Sequence, residues 1–426
     1  MSNSFFQALA SLLTGPDRSR FDAQILREQM PRSQRQGWKY AWLDQLGQRR
    51  FERSNCQQNA HDLACIADIP FPRLTFVNGV FRADLSDTSA IVADVSVDVL
   101  RPDPIDSTAP ELSPAATMSD IAALFRRLNR ILADTCVRLR VRAGAQVNAP
   151  LHLVYLSIPS DVSYTWHHQH HIYLERHASL HCIEHHLDVG QSSHYANTLA
   201  QITLEPQARL HHLRILATGA TMTSAFNTDA VLDQASYYQR TDLDVTTGHS
   251  VQSFNARLVG QHAHLDGNGV LIGGQNAHID HQLQIAHAAS DTHCDLRWRG
   301  MAHQKSAVAL EPRIHILAQA DQAQAQLSSK NLVLAPTARM QAQPILVIDA
   351  DNVRAAHGAT VGQLDSRAIF YLRSRGIPSE QAIKLLGAVF CQVPLTALPE
   401  PSRLWAQRYV KQAIERTCND PNAHAT

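Results

Sequence analysis

Between residues 137 and 370 the chain repeats an imperfect unit, in which an alanine is preceded six and four residues earlier by apolar residues and followed two later by another. Clear copies are Leu139-Val141-Ala145-Val147, Ile172-Leu174-Ala178-Leu180, Ile202-Leu204-Ala208-Leu210 and Leu332-Leu334-Ala338-Met340, and weaker ones centre on Ala235, Ala263, Ala277 and Ala307. Most alanines follow one another at a regular step of about 30 residues, a period that marks stacked units burying a face only against their neighbours. One step, from Ala263 to Ala277, is about half as long. Alternation within each unit says strand, and a small residue suits a corner where coils stack closely. The repeat predicts a mainly β chain whose core, from about 137 to 370, is a right-handed parallel β-helix.

The flanks read differently. Residues 1–136 form a helical and mixed region with short strand candidates at Leu74–Val77 and Ala90–Val97, ending in an amphipathic helix over Thr117–Cys136 that carries Ile121, Leu124, Phe125, Leu128 and Leu132. Residues 371–426 return to helix: Pro378-Ser379-Glu380 opens one, and Ser402 can cap a second carrying Leu404, Trp405, Tyr409, Val410 and Ile414. Two such helices outside a solenoid either cap its open end or offer an apolar face to a partner.

Composition excludes several functions. Lys+Arg and Asp+Glu both number 38, so no net charge steers the chain to nucleic acid or an anionic membrane. The seven cysteines, at 56, 65, 136, 182, 294, 391 and 418, form no CxxC pair and are odd in number, which argues against a zinc ribbon or a disulfide framework. No basic leader and no run of about 18 apolar residues occurs, so a cytoplasmic, membrane-free protein is expected. There is no GxSxG, HExxH or GxxxxGK[ST] motif; Gly267-Asn268-Gly269 reads as a turn and Gly273-Gly274 as a bend. The chain is expected to be no enzyme.

Histidine is abundant, at 24 residues. The densest text is His167-His168-Gln169-His170-His171, followed by His177, His181, His185, His186, His211 and His212. On a strand His168 and His170 share one face and His167 and His171 the other, so the group cannot converge on one ion, and a solvent-facing row across neighbouring coils is expected.

The most specific stretch is Pro344–Ile377, where an apolar run, Ile345–Ile348, opens onto a polar loop that presents His357 among Ala355, Ala356, Gly358 and Ala359. Its text, ADNVRAAHGATVGQLDSRAIFYLRSRGI, resembles the signature of the SufB/SufD family of iron–sulfur cluster assembly scaffolds, close to ADDVKCSHGATVGxLDxxxxFYLRSRGI. Gln326, Lys330, Asn331 and Leu332 resemble the family's QxxxKNLLL run, their polar members being expected to satisfy backbone groups between coils. Gly37–Leu43 is similar to its WKYTxL segment, with Gln36 where a Glu is usual.

The departures are informative. Ala355 stands at a family cysteine and Asn352 at an aspartate, which favours the SufD-type member, in which the histidine is kept and a SufB-type paralogue brings the cysteine. The resemblance implies a scaffold for a nascent iron–sulfur cluster or iron. His357 would be the ligand at a subunit interface, with Asp351 and Arg373 shaping its edge, and the SufC ATPase would dock on the C-terminal helices. It leaves flavin binding open and allows a homodimer through the same edge when the paralogue is absent. A His-rich metal-binding solenoid and a carbohydrate-active β-helix enzyme are the alternatives.

Overall fold

Two sheets, linked corner by corner, build the body, each coil giving one strand to each sheet; their strands pair parallel except at the N-terminal ends, where Val95–Leu100 and Val80–Phe81 run antiparallel to their neighbours. The computed structural model describes residues 4–14, 18–19, 21–22, 42, 46, 48–54, 64–91, 93–101, 120–400 and 402–418. The Trp38–Tyr40 segment and the start of the expected 117–136 helix lie outside them. Sheet A has eleven strands and runs from Arg339–Ala342 back to Val95–Leu100; sheet B has ten and runs from Arg354–Gly362 back to Val80–Phe81. Together they form a β-solenoid of about 8 turns.

The repeat has a physical basis at the corners. His177, Gln207, Ala235, His262, Asp291 and Gln322 all have φ between 52 and 61°. Each donates its N–H to a carbonyl of the following coil, as in His177 N to Pro206 O at 3.1 Å and Gln207 N to Gln234 O at 2.8 Å. The next residue turns into the core and must be small: Ala178, Ala208, Ser236, Ala263, Thr292 and Ala323 are fully buried. Two of the weaker copies are one residue out, since Ser236 and Ser306 hold the buried corner beside Ala235 and Ala307.

The text Gly267-Asn268-Gly269 is not a turn. It lies within the strand His264–Gly273. A Cβ on Gly269 would overlap the Trp298 ring and one on Gly267 would press on Leu296, so both glycines make room for large side chains of the next coil. Gly274, by contrast, sits at a corner as expected.

The α-helices among the described residues are numbered in order: α1 Ser4–Ala10, α2 Ala64–Ala67, α3 Asp120–Leu132, α4 Ser366–Ser374, α5 Ser379–Gln392 and α6 Ser402–Cys418. The apolar face of α3 covers the outside of sheet A, packing Ile121, Leu124, Phe125 and Leu128 with Tyr195, Ala225 and Val251. Its polar side is also tied down: Asn129 Nδ2 donates to the His168 and Asn197 carbonyls at 2.9 Å, and Arg126 pairs with Asp229. Helices α5 and α6 do not cap the open end. They lie along the outside of sheet B, where Cys391, Ala406, Val410 and Ile414 meet Ile183, Leu213, Leu243, Val270 and Met301. The hydroxyl of Ser402 bonds His181 rather than capping its helix.

Candidate functional site

His357 lies within a strand, Arg354–Gly362, the last of sheet B, and not in a loop. Gly358 and Gly362 are strand positions too, where an added Cβ would meet nothing within 4 Å. The run Ile345–Ile348 is likewise a half-buried strand at the sheet A edge, with Ile348 44% exposed, because no further coil among the described residues covers it.

Register places His357 on a particular row. Leu151, Cys182, His212, Arg240, Gly267, Leu296, Leu327 and His357 are successive partners in sheet B. Parallel in-register partners face the same way, and Leu327 points into the core. His357 therefore stands on the inward row, about 4.8 Å beyond Leu327. It is exposed only because it is on the terminal coil. Ala355, two residues earlier on the same face, packs on the core and brings no thiol.

The surroundings of this open end are apolar and basic. Val361, Phe370 and Tyr371 are 50, 72 and 57% exposed. Asp365 caps α4, accepting from Arg367 N at 2.8 Å, and so holds the helix that carries Phe370, Tyr371 and Arg373. Arg373 and Asp351 are both exposed, the latter in the bend before the last strand. Sequence reasoning missed the pair His315–Asp349, joined at 2.7 Å beside the last short strand of sheet A. It gave no role to Phe370 and Tyr371, although both stand in the 344–377 stretch; their exposure is what marks them as surface anchors.

The histidine cluster is not a solvent-facing row. His168 and His170 do share a face, as the alternation says, but that face is the interior, and His167 is buried on the other. His170 Nε2 meets Tyr155 OH at 2.7 Å, and its Nδ1 lies 3.6 Å from Glu184 Oε1. His186 and His212 reach the same carboxylate at 3.2 Å each. His212 Nδ1 meets Tyr238 OH at 3.0 Å, and beyond it Arg240, Asp242 and Arg214 form buried ion pairs. Burial works to raise the Glu184 carboxyl, but the imidazoles of His212, His170 and His186 close around it hold it well below the usual range. Burial also pushes His168 down to about 3 and His186 down to about 4. Among the described residues no three His, Cys, Asp or Glu side chains are grouped so as to hold a metal ion. These imidazoles bond acids and phenols of the core.

A second exposed apolar surface lies on the C-terminal helices. Leu385, Val389, Val393 and Leu404 are 44 to 65% exposed, on the side away from sheet B. No helix among the described residues is long and apolar enough to cross a membrane.

Residues 158–390 match the family model described as SUF system FeS cluster assembly, SufBD core domain. The chain is 26% identical to the iron–sulfur cluster assembly protein SufD of Escherichia coli over 377 residues, 85% of this chain and 84% of that one. It is 23% identical over 344 residues to an iron–sulfur cluster assembly SufBD family protein of Synechocystis, covering 76% and 75%. It is 26% identical to SufD of Bacillus subtilis over 264 residues, 61% and 60% of the two chains.

Proposed function

We infer that this protein, which belongs to the family of SUF-system iron–sulfur cluster assembly proteins built on the SufBD core domain and is SufD-like within it, works as a non-catalytic scaffold subunit. The observation that carries the reading is that His357 occupies an inward row yet faces solvent. An inward position left open at the end of a solenoid is half of a site. A second solenoid closing on the same end would enclose the imidazole and bring its own ligands to it.

The nascent cluster is the cargo. Iron–sulfur clusters are held by thiolate sulfur and, less often, imidazole nitrogen. His357 supplies the imidazole; Ala355 supplies nothing, so a SufB-type paralogue brings the cysteine. Arg373 and Asp351 border this contact, and the exposed Phe370 and Tyr371 give it an apolar anchor of the kind interfaces favour. In the paralogue's absence a second copy of this chain takes its place. The SufC ATPase docks on the stripe Leu385, Val389, Val393 and Leu404, which the packing on sheet B leaves exposed. The buried thiols of Cys182, Cys294 and Cys391, none of them in a disulfide, suit a reducing compartment such as the cytoplasm.

The test is cluster formation by the complex reconstituted from this chain, a SufB-type paralogue and the ATPase. Wild type and His357→Ala are compared at equal subunit occupancy. A fall in cluster yield of well over 10-fold is expected, since even groups behind the ligands cost about that much. Equal yields would remove His357 from the ligand set.

A further inference from the structure

We propose that Asn331 is the positioning residue that sets the His357 strand, a role that rests on His357 being a ligand. The strand Arg354–Gly362 is poorly secured by its own sequence. It is terminal in sheet B, so among the described residues only one strand pairs with it, and Gly358 and Gly362 have no side chain to pack. To the backbone ladder with Gln324–Val333 and the packing of Ala355 on the core, a side chain of that preceding strand adds a further hold.

Asn331 provides it. It faces inward, is 2% exposed, and its Nδ2 donates to Ser329 Oγ at 2.9 Å and to the Thr360 carbonyl at 3.0 Å. The Thr360 oxygen only accepts, so the amide nitrogen must face it, which settles the orientation of the amide. The side chain is also confined from behind. A Cβ on Gly300 would lie 2.5 Å from Asn331 Oδ1, so that glycine leaves the space the amide fills. The result is one rigid amide spanning the last two coils, anchored three residues from His357. This is a polar residue serving the backbone between coils, and its position gives that service a use.

The experiment uses the full chain, alone and in the reconstituted complex, with Asn331→Asp, which keeps the shape and loses both donors, and Asn331→Gln, which keeps the donors. Hydrogen exchange of the free chain reads the clamp directly. Amides 354–362 should exchange about 5-fold faster in Asn331→Asp, the equivalent of one hydrogen bond, with those of the inner coils unchanged. In the complex, cluster yield per bound subunit should fall several-fold at saturating paralogue, while affinity for the paralogue stays near wild type; Asn331→Gln should recover part of the yield. Unchanged exchange at 354–362 overturns the clamp, whatever the yields. Faster exchange with unchanged yield per complex overturns the positioning role. A wild-type yield from His357→Ala would instead sink the ligand reading and leave the exchange result standing.

Discussion

Leu327 and His357 are register partners one coil apart on the same inward row, yet Leu327 is 3% exposed and His357 lies open to solvent. The next coil makes the difference: one covers Leu327, and none among the described residues covers His357. His357→Ala should therefore change the stability of the isolated chain by under ~1 kcal/mol, as for surface positions away from special features. Thermal unfolding of the free chain checks this, and a larger loss would mean that the imidazole is held by its own chain.

Ala355 and His357 share a face two residues apart, about 7 Å along the strand. Ala355→Cys adds one sulfur at a half-buried position, a change that packing tolerates. Introduced into His357→Ala, it should restore part of the cluster yield of the complex, read by visible absorbance. No recovery would show that geometry at position 357, and not the mere presence of a donor, sets the site.

Gly269 is needed by Trp298. Gly269→Ala places a methyl within the indole and should cost about 1–3 kcal/mol by overpacking. Trp298→Leu in the same chain should recover part of that loss, because the two positions share one space. Strict additivity of the two changes would argue against the contact.

The exposed stripe on α5 and α6 can be tested without unfolding the protein. Deleting residues 378–426 would strip the cover from sheet B, so point changes are the informative ones. Val389→Asp with Leu404→Asp should leave the melting temperature nearly unchanged and weaken ATPase binding at least 10-fold, as loss of a buried anchor does. Full binding by this variant would move the ATPase elsewhere.

The buried histidines make the fold sensitive to acid. Burial pushes His168 down to about 3 and His152, His186 and His287 down to about 4; repulsion from nearby positive groups adds to it at His152 and His287, while at His186 the Glu184 carboxylate opposes it without cancelling it. In the unfolded chain they titrate at ~6.5. Between that value and about 4 the unfolded state binds protons that the folded state refuses, so stability falls as pH falls through this window. Each histidine contributes up to about 1.4 kcal/mol per pH unit there. The depressed Glu184 carboxyl adds a loss at still lower pH, as the pH falls through its folded value. Melting temperature should drop steeply from pH 6.5 to pH 4.5; a flat profile would show the interior histidines are reached by water.

Much of this was legible in the text of the chain. The regular period marked the solenoid, because a small corner residue is required each time a left-handed turn closes a coil against the next. The family came from the 344–377 stretch, and the C-terminal helices from their periodicity and breaks. Alternation correctly paired His168 with His170. What alternation does not say is which face is the inside, and that depends on how the two sheets close.

His170 and His357 show where sequence stops. Both are inward imidazoles on strands, and the tertiary structure buries one against Glu184 and leaves the other at an open end. Gly267-Asn268-Gly269 makes the same point, since only Leu296 and Trp298, on the neighbouring strand of the next coil, tell a strand with room for a neighbour from a turn. The period of the chain determined that coils would stack. Only the stack decided which residue each coil covers, because burial here is a contact between segments a whole coil apart, and His357 stands on the coil that no other described coil covers.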